Sequence, residues 1–228
     1  MSTDKYNKYF GITKFTIRPT DKHIRAFSQV ADIRKFEIDM YWKRAAYFWT
    51  IIAVTFTGFF ALSASSSFPY KDLFLLLLSN MGLVFTFSWY LVNRGSKYWQ
   101  ENWENHLDHM EDKITGPLYK TILERPKVSN KKNNKIDHFF TGPSKLSVSK
   151  INQWVAIYIC FIWFFLIMIA SSSVFIELKN IMPIPKSYVA MGFIVLSFIA
   201  MILMYWKGKT HSGEHLSSLV ERHSRIVP

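Results

Sequence analysis

One cysteine, Cys160, occurs in 228 residues, so no intrachain disulfide can form and a disulfide scaffold is excluded. Nine glycines and eight prolines are too few for a collagen-like fibre or a low-complexity linker protein. Charged residues make up only 19% of the chain against 50% apolar and 17% aromatic, which excludes a disordered tail. Acidic side chains are scarce relative to basic ones, 16 against 28, giving a net charge of +12. The mean hydropathy of +0.07 looks ordinary, but it averages two populations. Nearly all the apolar residues sit in four runs, and nearly all the charge lies between them.

The runs are 45–67, 73–93, 151–176 and 187–206, and none contains Asp, Glu, Lys, Arg or His. About 20 such residues suffice for a helix to cross roughly 30 Å of hydrocarbon. The expectation is an all-α membrane protein with four transmembrane helices and helical cytoplasmic extensions. The first run follows 44 residues holding ten basic side chains. It is therefore not the apolar segment of a cleaved signal peptide and is expected to stay in the mature protein.

Lys and Arg number ten before the first run, then one, eleven, two and four in the successive segments between and after the runs. Alternate compartments thus hold 25 and 3, and the positive-inside rule predicts that both termini and the long middle loop are cytoplasmic. Aromatic placement agrees. Trp42, Trp49, Trp89, Tyr90, Trp154, Tyr158, Tyr205 and Trp206 fall at the predicted inner interface, and Tyr70 and Tyr188 at the outer one. The chain divides accordingly into an amino-terminal arm and helix (1–44), a first helix pair (45–93), a cytoplasmic helix and basic linker (94–150), a second pair (151–206) and a tail (207–228). On this reading at least part of the +12 is topology, and it is not by default a nucleic-acid footprint.

In the first cytoplasmic piece, Thr13, Phe15 and Ile17 alternate with Lys14, Thr16 and Arg18 like a short extended arm ended by Pro19. Thr20 or Asp21 can cap a helix running on into the first span. In the second piece, Trp99, Trp103, Leu107, Met110 and Ile114 step by four, four, three and four, placing them on one helix face, with Glu101, Glu104, Asp108, Glu111 and Asp112 on the others. A helix continuous with the second span would be about 40 residues long, roughly 60 Å, with Gly116-Pro117 as its stop. A stripe bearing two Trp needs burial, and neighbouring subunits are the simplest source. Trp99, Trp103, Leu107 and Met110 are accordingly the expected oligomer seam. The Lys/Asn/Ser-rich linker carrying Lys127, Lys131, Lys132 and Lys135 reads as a solvated loop, or as a basic surface for anionic headgroups or a partner.

Chemistry-bearing constellations are few. His106 and His109, at i and i+3 with carboxylates nearby, could hold a metal, but the stretch lacks the His-Glu-x-x-His order of a zinc hydrolase. Polar packing is the expected role. Arg18 and His23 have the spacing of a ribonuclease-type HEPN pair, yet Pro19 sits where the catalytic helix should continue. No Walker A loop, dinucleotide-binding glycine turn or nucleophile elbow occurs, so the expectation is a non-enzyme without cofactor. Asn80, Ser63, Ser66, Ser171 and Ser172 are the candidates for groups facing water along a pore, although hydroxyls in spans equally bond back to helix carbonyls. No ionisable group lies at depth, which argues against coupled transport.

The order of features FEIDMYWKRAAYFW, SWYLVNRGSKYWQENWE and NHLDHMEDKITGPLYK, over roughly 34–120, resembles the RipA-like, octameric bacterial inner-membrane proteins. The resemblance implies a homo-oligomeric ring with a cytoplasmic helical vestibule, and it extends to a CRISPR-associated accessory protein implicated in phage defence as a pore. The third and fourth spans depart from the simpler two-span pattern. The function expected is a channel or membrane-perturbing effector in bacterial stress response or antiphage defence. The alternative is a membrane-anchored adaptor recruiting a cytoplasmic protein, encoded beside it, or nucleic acid.

Overall fold

The first helix starts at Thr20, whose hydroxyl accepts the His23 amide at 3.2 Å while its carbonyl accepts Ile24 N at 3.0 Å. A side-chain oxygen at this position satisfies amides that the helix itself leaves open. The computed structural model describes residues 18–122, 144–181 and 185–209, with backbone only for 173, 175–181 and 185–187. The arm at 12–17 and the four linker lysines lie outside the described residues. Within them the elements are α1 (Asp21–Ala64), α2 (Lys71–Met110), a 3-10 turn (Glu111–Lys113), α3 (Val148–Ile181) and α4 (Pro185–Lys207). All four α-helices contain a window long and apolar enough to cross a membrane.

α1 and α2 meet in a short turn that one lysine organises. Lys71 Nζ donates to the carbonyls of Ser63 and Ser65 at 2.5 and 2.8 Å, supplying protons that the end of α1 lacks. Tyr70 takes the left-handed conformation (φ 59°), and Asp72 stands in the first turn of α2, where a negative charge suits the helix dipole.

The described residues fall into two compact units. One comprises 37–99, 144–181 and 185–208, and the other 18–36, 100–122 and 209. In the first, Phe59 of α1, Leu76 and Leu83 of α2, Trp163, Ile167 and Ala170 of α3 and Ala190 of α4 form one apolar core. Ile52, Trp89 and Ala156 form a second, with Trp49 edge-on to Trp89 at 6.1 Å. Trp163 is fully buried, stacked on Phe56 at 4.0 Å and edge-on to Phe59 at 6.2 Å. Its ring lies so close to Gly82 that a Cβ at 82 would overlap it. Absence of a side chain at 82 is what lets α2 and α3 approach here.

Polar groups inside this unit are mostly satisfied within their own helices, as hydrocarbon requires. Ser79, Thr86 and Ser197 each donate to the carbonyl four residues back at 2.8 Å. Between helices, Arg44 donates to Ser96 at 2.9 Å and Asn152 to the Tyr41 hydroxyl at 2.8 Å. The outward faces carry large apolar side chains such as Val54, Phe60, Phe165, Leu196 and Leu203, all exposed. That pattern would be untenable in water and is the ordinary surface of a protein solvated by lipid.

Candidate functional site

The second unit joins the amino-terminal part of α1 to the carboxy-terminal part of α2. Val30 of α1 is buried against Leu107 and Met110 of α2, with Ala26, Phe27, Ala31 and Trp103 packed around them. The spacing of Ala26, Phe27, Val30 and Ala31 supplies one apolar stripe, and Trp103, Leu107 and Met110 supply the other. The burial expected from a neighbouring subunit thus comes, for Leu107 and Met110, from the same chain. Leu107 is 0% exposed and Met110 2%. Of the expected seam, Trp99 and Trp103 stay half-buried, Trp99 edge-on to Tyr98 at 5.4 Å.

The helix ends at Met110, earlier than Gly116-Pro117 would demand, and Glu111 is the reason. Expected on a helix face away from the apolar stripe, it is 0% exposed. Its Oε2 accepts the Tyr119 amide at 2.5 Å and its Oε1 the Lys120 amide at 3.1 Å. Its backbone carbonyl accepts the amides of Ile114, Thr115 and Gly116 at 2.9, 3.0 and 3.1 Å. Five protons converge on one residue, so the chain turns instead of continuing helically, with Gly116 in the left-handed region (φ 74°). Ile114 is consequently off the helix and out of the predicted stripe.

The turn is held to α1 by aromatic and charged contacts. Arg34 pairs with Glu104 at 3.2 Å and lies over the Tyr119 ring at 5.7 Å, while Phe27 meets Tyr119 edge-on at 6.4 Å. Lys120 pairs with Asp112 at 2.6 Å. Burial raises the Asp108 carboxyl above its ordinary pKa, and the neighbouring Glu111 adds to the shift.

The two candidate metal-ligating histidines make other contacts. His106 stacks on Trp103 at 5.6 Å, and His109 Nδ1 lies 2.8 Å from the Asn105 carbonyl. Among the described residues no three His, Cys, Asp or Glu side chains gather closely enough to hold a metal ion. Burial, and then the nearby His109, lowers the His106 pKa.

His23, which sequence reasoning singled out only for its distance from Arg18, is 2% exposed. Burial lowers its pKa, the Met110 backbone carbonyl opposes that shift, and Lys113 adds to it. A histidine held below its unfolded value of 6.5 binds fewer protons folded than unfolded. Its contribution is therefore full above that value and is lost as pH falls through it. Amide exchange at Val30 and Leu107, corrected for intrinsic rates, should accelerate between about pH 7.5 and pH 5. His23→Gln should flatten that dependence, and an unchanged slope in the variant would remove His23 as its cause.

In the spanning unit, Asn80 faces protein. It is 2% exposed and donates to the Leu76 carbonyl at 2.8 Å, which takes it out of the set able to line a lumen between subunits. Ser63, Ser66 and Ser172 are exposed and Ser171 half-buried. Ser171 and Ser172 donate to the carbonyls of Ile167 and Ile169 at 2.6 and 2.7 Å, the back-bonding alternative for hydroxyls in spans.

Four apolar helices long enough to span, two of them extended into a second packed unit, define a multi-pass, all-helical membrane protein. The profile of the octameric membrane protein family (8xMP) matches residues 24–172, and the chain belongs to that family. The match includes the whole Val30–Leu107–Glu111 knot and the first three spans. No curated protein and no solved structure matches the chain.

Proposed function

We propose that the protein is a non-enzymatic, homo-oligomeric ring in the bacterial inner membrane, with both termini cytoplasmic, acting as a channel or membrane-perturbing effector in stress response or antiphage defence. The observation that carries the reading is a family described as octameric joined to four spans without an ionisable side chain at depth. A ring of such subunits offers a passive path and has no Asp, Glu, Lys, Arg or His in its spans with which to couple transport. Ser63, Ser66, Ser171 and Ser172 remain the candidates for a wet mouth, two of them with hydroxyls already committed to carbonyls. The packed unit around Glu111 would supply the material of a vestibule.

The test is flux from vesicles. Full-length protein reconstituted at defined density should release a small monovalent ion well above empty vesicles, with native mass spectrometry in mild detergent showing an oligomer. Leakage equal to that of empty vesicles would remove the channel and favour the adaptor, whose contacts would fall to Lys127, Lys131, Lys132 and Lys135. A monomer would remove the ring.

A further inference from the structure

On the outside of the spanning unit, α1 and α3 carry opposite surfaces. α1 exposes Ala46, Thr50, Ala53, Thr57, Ala61 and Ala64, at steps of four, three, four, four and three. The stripe runs about 27 Å along the helix at 1.5 Å per residue, close to the thickness of the hydrocarbon. Thr50 and Thr57 turn their hydroxyls onto the carbonyls of Ala46 and Ala53 at 3.0 and 2.9 Å. The stripe therefore presents methyl groups in a shallow apolar furrow and not a hydrophilic lining. Val54 and Phe60, both exposed, flank the stripe on its two sides.

α3 shows the converse. Trp154, Tyr158, Phe161, Phe165 and Met168 step by four, three, four and three, and are 70%, 66%, 59%, 63% and 56% exposed. They stand on the side of α3 opposite its buried residues Ala156, Trp163, Ile167 and Ala170. The α3 ridge repeats on average every 3.5 residues and the α1 stripe every 3.6, a drift of about 20° per seven residues, so one can follow the other over a single span. With one intervening span, α1 and α3 cross the membrane in the same direction, so the stripes can align in parallel. Lipid tails drive no association between helices by hydrophobicity, so contact depends on van der Waals fit, which a furrow of small residues gives to a ridge of large ones.

We infer that the α1 furrow of one subunit receives the α3 aromatic ridge of a second copy of this chain, and that this is the intramembrane interface of the ring. The inference rests on the oligomeric reading above. Two different patches meeting head-to-tail generate a closed ring if the rotation closes. It also reassigns the principal seam, from the Trp-bearing face of α2 to helices α1 and α3.

The experiment uses the full-length chain with Cys160→Ser, carrying Thr57→Cys and Phe165→Cys together, oxidised in native membranes. The expected result is a ladder of disulfide-linked multimers from the double variant and no ladder from either single one, since a head-to-tail contact does not bring a residue near its own copy. A second variant, Ala53→Phe, fills the furrow and should abolish the oligomer in native mass spectrometry while the helical signal is retained. An oligomer that persists in Ala53→Phe, or that forms without a ladder in the double variant, overturns the interface but leaves the oligomer standing. A parent protein that is monomeric overturns both.

Discussion

Gly82→Ala is expected to destabilise the spanning unit by about 3 kcal/mol, the upper part of the range for overpacking a filled core. Alanine would normally stabilise a helix interior by about 1 kcal/mol over glycine, so propensity and packing predict opposite signs. Packing should win because the new methyl overlaps the indole of Trp163. That ring has little freedom to retreat, being fully buried and confined by Phe56 and Phe59. Thermal unfolding in a fixed detergent, followed by tryptophan emission and helical circular dichroism, measures the loss. Trp163→Leu alone should also destabilise by leaving a cavity. The combination should be more stable than the sum of the two single losses, because the smaller side chain makes room for the methyl. A Gly82→Ala protein as stable as the parent would mean that α2 and α3 do not approach at this point.

The second large effect is expected at Glu111. Glu111→Ala removes the acceptor of the Tyr119 and Lys120 amides and leaves two donors in a protein-lined site. Losing hydrogen bonds to a charged acceptor in a buried site costs about 2–4 kcal/mol locally. The amides of Tyr119 and Lys120 should exchange about thirtyfold to a thousandfold faster. Arg34 would lose its aromatic platform as Tyr119 leaves, so protease cleavage near 115–122 should appear at concentrations that spare the parent. Glu111→Gln, which keeps one acceptor oxygen, should fall between the two. Equal protection in Glu111→Ala and parent would show that the backbone carbonyl of residue 111, which every variant retains, is enough to hold the turn.

These two residues mark where sequence reading stopped. Glu111 sits in a run with Asp108 and Asp112, and helical periodicity assigns it to a charged face. Its burial depends on the chain folding back eight residues later, a contact that periodicity does not contain. Gly116-Pro117 signalled that the helix stops there, but spacing alone did not assign the Glu111 carboxylate to the amides of Tyr119 and Lys120 beyond the stop. Leu107 and Met110 were recognised as needing cover, but whether a neighbouring subunit or α1 supplies it depends on Val30 being brought opposite them. Asn80 was a candidate for a group facing water along a pore, and it is buried inside its own subunit.

The sequence by itself determined that four helices cross a membrane, because about 20 consecutive residues without charge meet the energetic requirement regardless of their neighbours. It also placed helical periodicity beside the first two spans, while the continuity of each helix with its span was shown by the structure. Only the tertiary structure decided which side of each helix is interior. Every face of a lipid-solvated helix is apolar, so the contrast that reveals the buried face of a soluble helix is missing. Inside and outside were separated by Trp163 settling on Gly82, and by the small stripe of α1 and the aromatic ridge of α3 both being left facing out.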